Sequence, residues 1–324
     1  MVRTFRWAAA LAGILWLGVS LAQDWTPSRP LRFIVPQAAG GGADSIGRLI
    51  ANGLSERLGQ PVIVDNRPGA NGGVGAEVLI RAPADGHTLL LVFTSMMAIN
   101  PAVYAKTPYD PIADFRPLGT VCDLPLVMMA SNSVPASTAT ELVTLAKQKP
   151  ELVFAASSGN GAFSHLLVEM FNARSGIKLT HVPFKGEAAA VQHLIANQSP
   201  AIYFGTPVPA IPAVQSGRVK GLAVTTARRL EQLKDLPTLQ EQGLGDYNEG
   251  FWYGVVAAAA TPTNIADTFD RHLGAISRSP TVGATVSKLG CAPFSLSGAE
   301  FSARIKSDLA KYAAIVKAVG MKVD

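Results

Sequence analysis

Short apolar runs alternate with stretches of helical periodicity along most of the chain. The residues from Leu31 to Pro36 are mainly apolar and read as a buried strand. Gly40-Gly41-Gly42 free the chain to turn, and Asp44 is a favoured N-cap for Ile46, Leu49, Ile50, Leu54 and Leu58, which recur at helical spacing until Gly59 stops them. Pro61 to Asp65 reads as a second strand, so the natural connection is a right-handed βαβ unit and the sheet starts parallel. A loop from Asn66 to Gly73 leads into a short helix near Val74 to Arg81, and Asp85-Gly86 turns the chain into a strand over His87 to Phe93.

The same alternation resumes later. Thr138 and Glu141 form a capping-box pattern ahead of Leu142, Val143 and Leu145, and Pro150 ends that helix. Leu152 to Ala155 is a short strand, followed by the small polar loop from Ala156 to Gly161 and a helix ending at Gly176. Strands near 179–182, 201–204 and 222–225 alternate with helices near 188–196 and 209–216, which predicts a second parallel sheet. The segment from Arg228 to Gly250 is charged and irregular and suits a return path between domains; Trp252 to Ala258 reads as a strand, and helices follow Pro262 to the end.

Composition narrows the class. The 324 residues, 48% of them hydrophobic, suffice for two α/β domains or one large one. The net charge of +5 is small and dispersed, with no basic stripe interleaved with aromatics, so a nucleic-acid partner is not expected. Arg3 and Arg6, the apolar run Trp7 to Val19 and the small residues of Ser20-Leu21-Ala22 make the three-part pattern of an export signal cleaved after Ala22; an uncleaved anchor is the alternative, but its apolar run is short for a span. Cys122 and Cys291 could pair in an oxidising compartment, although their spacing does not demand it, and two buried free thiols are the more ordinary reading.

The candidate chemistry sits on glycine loops. Strand, glycine loop and helix together leave backbone N–H groups near the positive end of a helix dipole, a place for an anion. Gly40, Gly41 and Gly42 are the expected amide donors, Gln37 a side-chain contact, and Ala39 and Asp44 complete the loop. The loop lacks a P-loop ending and does not fit Gly-x-Gly-x-x-Gly, which favours a carboxylate over a nucleotide; a tight βα turn that binds nothing is the alternative. Ser157, Ser158, Asn160 and Gly161 form a second such loop, and His165 either reaches a ligand from the helix behind it or caps and packs. Thr94 and Ser95, Lys185, and Gly205-Thr206 follow other strands at their carboxyl ends, where open α/β sheets bind ligands. Phe251, Trp252 and Tyr253 either line the pocket or belong to the core. No metal-ligand spacing, cofactor motif or hydrolase elbow occurs; Ser158 with His165 is the residual Ser/His hydrolase reading, without an acid to orient the base.

Several motifs in order carry a resemblance. Val35-Pro36 with Gly40-Gly41 and Asp44, Asp65 to Gly73, Asp85 to Leu90, Tyr109 to Phe115, His181 to Gly186, Gly221 to Thr226, Leu236-Pro237-Thr238 and Trp252-Tyr253-Gly254 resemble the Bug/TctC family of extracytoplasmic solute-binding proteins of tripartite tricarboxylate transporters. The resemblance implies an α/β, two-domain periplasmic binding protein (Venus flytrap), each domain a mainly parallel sheet flanked by helices. Its domains would be residues 23–124 plus 250–324 and residues 125–249, with the two glycine loops facing across the cleft. It further implies a monomeric, cofactor-free periplasmic protein that captures a small organic acid for a membrane permease, or alternatively presents it to a sensor kinase. The chain departs from the family pattern at Gln37, Ala39 and His87, where an aromatic residue, proline and tyrosine are usual.

Overall fold

A computed structural model describes residues 25–293 and 295–323. The expected leader and its cleavage after Ala22 lie outside them. Among the described residues no helix is long and apolar enough to cross a membrane.

The chain begins β1 (Leu31–Val35), α1 (Gly42–Leu58), β2 (Val62–Asn66), α2 (Gly73–Ile80) and β3 (Thr88–Phe93). A π turn over Ser95–Ile99 leads into α3 (Asn100–Val103), then the long strand β4 (Phe115–Pro125). Next come β5 (Val127–Ala130), α4 (Ala139–Gln148), β6 (Phe154–Ser157), α5 (Phe163–Ser175), β7 (Thr180–Pro183), α6 (Glu187–Ala196), β8 (Ala201–Gly205), α7 (Pro207–Gln215) and β9 (Lys220–Val224). After an irregular stretch the chain ends β10 (Gly250–Ala258), α8 (Thr263–Ser277), α9 (Pro280–Lys288), β11 (Ala292–Pro293) and α10 (Gly298–Val319).

Two sheets result. One has the order β11-β4-β10-β3-β1-β2, the other β7-β6-β8-β5-β9. The α/β class is as expected, but each sheet is mixed. The βαβ portions, β2-β1-β3 and β7-β6-β8, are parallel, whereas β10, β4 and β11 in the first sheet and β5 and β9 in the second pair antiparallel. The physical reason is connectivity: β4 crosses to β5 through Leu126 alone, and β10 returns beside β4, so the strands that carry the chain between sheets run against their neighbours. Neither β4 nor β5 shows a clean alternating pattern, and neither was predicted.

Helix α1 lies on β1 closely enough that a Cβ at Gly47 would stand 2.6 Å from the Val35 side chain. It ends, as expected, at Gly59 in a left-handed conformation (φ 66°). The crossings between sheets are clasped to each other. The Leu126 N–H donates to Thr225 Oγ1 (3.0 Å), which donates to the Glu249 carbonyl (2.7 Å), while the Thr225 and Glu249 amides bond the Leu126 and Thr225 carbonyls.

Cys122 on β4 and Cys291 just before β11 are buried free thiols with sulfurs 2.8 Å apart, and burial followed by the neighbouring thiol pushes Cys122 up. Two-electron oxidation should join them without rearranging the sheet. Intact-mass spectrometry after alkylation should then find no free thiol, and the melting temperature should rise, with an upper bound of about 5 kcal/mol from loop entropy. Cys122→Ser should abolish the rise; persistent thiols under mild oxidant would contradict this.

Candidate functional site

The loops after β1 and β6 wall one cavity of about 570 Å³, bounded by both sheet-bearing units. Seven of the expected residues line it: Gln37, Gly41, Ser95, Ser158, Asn160, Lys185 and Thr206. The other nine do not. Ala39 and Gly40 are exposed, and Gly42 and Asp44 are buried behind the loop. Thr94 accepts the Trp252 N–H through Oγ1 (2.9 Å), Ser157 is fully buried, and Gly205 packs against Met129 and Tyr203. Gly161 and His165 are held behind the second loop by their own hydrogen bond, Gly161 N–H to His165 Nδ1 at 3.3 Å. Of the three departures from the family pattern, Gln37 alone lines the cavity.

The first loop uses its amides differently from the expectation. The glycine run lets α1 start at Gly42, with Gly41 as its extended cap, so Asp44 is the third helical residue and not the N-cap. Its carboxylate turns back to accept the Gly40 N–H (3.0 Å) and also binds Arg48 Nε (3.0 Å) and Asn66 Nδ2 (3.1 Å). Burial raises that carboxyl, but these bonds and the Arg48 charge outweigh it and leave it below the usual carboxylate range. The Gly42 N–H is taken by the Glu187 carboxylate. Of the three glycine amides, that of Gly41, on the cavity wall, is the one without a protein acceptor among the described residues.

Glu187 opens α6 and lines the cavity. It accepts the Thr206 N–H at Oε1 (2.7 Å) and the Thr206 hydroxyl at Oε2 (2.9 Å), besides the Gly42 amide and the Tyr203 phenol. Burial pushes its pKa above the ordinary carboxylate value despite these donors. A Cβ at Gly42 would stand 2.9 Å from Thr206 Oγ1, so the approach of the two units here requires glycine. Tyr203 extends the network to Ser158 and Ser164, whose hydroxyls lie 3.1 Å apart.

Further bonds cross between the units. Asn71 Nδ2 donates to the Gly161 carbonyl (3.1 Å) and the Tyr104 hydroxyl to the Asn160 carbonyl (2.8 Å). On β10 the strand alternation divides the aromatic run: Phe251 and Tyr253 line the cavity, while Trp252 points the other way and donates Nε1–H to Asp308 (2.7 Å). Phe93 and Phe163 complete the apolar wall, stacked or tilted on Phe251 at 5.8 and 5.7 Å. Sequence reading missed Asn71, Tyr104, Phe163, Tyr203 and Glu187. Glu187 carried a legible signal, an acid in the first turn of a helix opened by a glycine after a strand.

The Ser158/His165 pairing is absent. Ser158 belongs to the Ser164–Tyr203 network, and the His165 ring is stacked on His181 with centroids 3.7 Å apart. His181 Nε2 lies 2.6 Å from Ser157 Oγ, so the pair of rings buttresses the second loop from behind.

Residues 46–321 match the family model described as the tripartite tricarboxylate transporter family receptor. The chain is 30% identical to Protein BugT of Bordetella pertussis, over 97% of this chain and 95% of that one. It superposes with a TM-score of 0.88 and 31% identity on R. palustris Rpa4515, solved with adipate, covering 92% of this chain and 99% of the other. MatC from Rhodopseudomonas palustris, solved with malate, gives a TM-score of 0.83 at 26% identity over 90% and 99%.

The histidine pair generates a pH dependence. Burial first and the His165 ring second push His181 from 6.5 down to about 4, against the pull of Glu169. Between those values the unfolded chain binds a proton that the folded chain does not, so this contribution is complete above pH 6.5 and is lost as pH falls toward 4. Melting temperatures stepped from neutral pH through that window should fall. The decline should be shallower in His181→Asn; parallel curves would remove His181 as the cause.

Proposed function

The chain belongs to the tripartite tricarboxylate transporter receptor family, and from that premise we propose that it is a periplasmic receptor that closes on a small organic acid and delivers it to a membrane permease. The observation that carries this reading is the cavity itself. It is walled by both sheet-bearing units, largely apolar, and furnished with the Gly41 N–H, the Ser95 hydroxyl, the Asn160 amide and the Lys185 ammonium as donors toward an acid. The adipate and malate bound by the two R. palustris relatives support a carboxylate as the ligand class.

Residues 23–124 plus 250–324 and residues 125–249 act as the two domains. A ligand that reaches both is fully coordinated only when they meet, so it favours the closed arrangement by what the second domain contributes. The Asn71–Gly161 and Tyr104–Asn160 bonds belong to that arrangement. Charge-assisted hydrogen bonds of roughly 1.5 to 3 kcal/mol each, three or four in number, leave about micromolar affinity after ordering costs.

A thermal-shift panel of carboxylates, sugars and cations tests the ligand class, since a ligand at 100 times its dissociation constant stabilises by about 2.7 kcal/mol. A saturating carboxylate should also compact the molecule in solution scattering, and deletion of the gene should abolish uptake of that acid. Gly41 has an ordinary φ of −91°, and a Cβ there would meet nothing closer than the Ala38 carbonyl at 3.8 Å. Gly41→Val should therefore fold normally yet lose at least tenfold in affinity because its side chain enters the cavity. Stabilisation by sugars or cations alone, or unchanged binding by Gly41→Val, would refute the reading.

A further inference from the structure

The Glu187 carboxylate lies between two helix N-termini that belong to different units. From one side comes the amide of Gly42, the first residue of the 17-residue α1; from the other come the amide and hydroxyl of Thr206, the cap of α7. The Tyr203 phenol supplies a fourth donor. Backbone amides at two positive dipole ends make this the best-furnished anion position at the cavity, and the protein's own side chain fills it. Other donors on the wall, among them the Gly41 N–H, the Gln37 side-chain amide, Ser95, Asn160 and Lys185, can receive a ligand carboxylate. The same wall carries Phe93, Leu126, Phe163 and Phe251, whose side chains offer no hydrogen bond.

We propose that Glu187 is a resident carboxylate standing where a second ligand carboxylate would otherwise bind, so that the cavity takes acids with a single carboxylate and an apolar body and rejects dicarboxylates. This rests on the carboxylate-receptor reading above. A dicarboxylate placed in the same cavity adds a second negative charge beside Glu187, where the Gly42 and Thr206 donors are already taken. At about 6 Å and an effective dielectric of 20, two unit charges repel by roughly 100-fold in a binding constant. An apolar end meets the ring wall instead and loses only its contact with water.

Hexanoate and adipate share a six-carbon chain and differ in the terminal group, so their affinity ratio isolates this effect. Calorimetry on the full mature protein should show hexanoate at least about 100-fold tighter than adipate. Glu187→Ala opens the position between Gly42 and Thr206, and Glu187→Gln removes the charge at nearly constant size. Each should narrow the ratio by tenfold or more, the first chiefly through a gain in adipate binding. A wild-type ratio near one overturns the proposal by itself, whether or not either variant folds, and so does a ratio that neither substitution moves. A wild-type protein that binds neither these acids nor any other carboxylate overturns the receptor reading along with it, which separates the two failures.

Discussion

The antiparallel pair of β4 and β10 is the constraint on which the rest depends. It runs from Phe115 against Ala258 to Pro125 against Gly250, with register shifts at Tyr253/Gly254 and Val255/Val256, and both connections to the second sheet leave from the same end of it. With one residue on the outward path and the Thr225 clasp on the return, the two sheets are tied at a single edge and are otherwise joined through side chains. The pair is secured from behind by α10, whose Asp308 receives Trp252 Nε1–H and Arg304 and whose Lys311 meets Glu249 at the crossing itself. Charges this buried are stable only while paired, so the helix and the crossing hold one geometry together.

That geometry brings helix N-termini from both units to one place, where acidic side chains of the protein meet the exposed amides. Asp44 takes Gly40 and Glu187 takes Gly42, leaving Gly41 between them directed at the cavity. The glycines therefore serve two purposes. One lets the chain turn with φ of +83°, and another admits Thr206 and Glu187 to a helix start that any Cβ would block. The result is a site whose loop amides are largely taken by the protein's own carboxylates, beside an aromatic wall.

Much of the framework was legible because it is local. Periodicity located α1, α2, α5 and the parallel strands to within a few residues, and the glycine stops at 59 and 176 fall at left-handed helix ends. The capping pattern at Thr138 was half right: its hydroxyl accepts the Glu141 amide, but Glu141 reaches back to Ser137 instead of to the cap. Asp44 was misplaced because a glycine run carries no signal for where a helix begins. Of the antiparallel strands, β9 and β10 were legible, whereas β4 and β5 were hidden because they are buried on both faces for much of their length and do not alternate.

By itself, the sequence determined the elements, the glycine loops at strand ends and the family resemblance, since these follow from backbone preference and short-range pattern. The tertiary structure alone decided which of those loop residues meet. Ser95, Lys185 and Thr206 reach the cavity while Thr94, Gly205 and Ser157 turn away, because adjacent residues on a strand or at its end face opposite sides. It also decided that Glu187, 145 positions from Gly42 in the chain, bonds its amide, a contact that exists only where the two sheets are brought together.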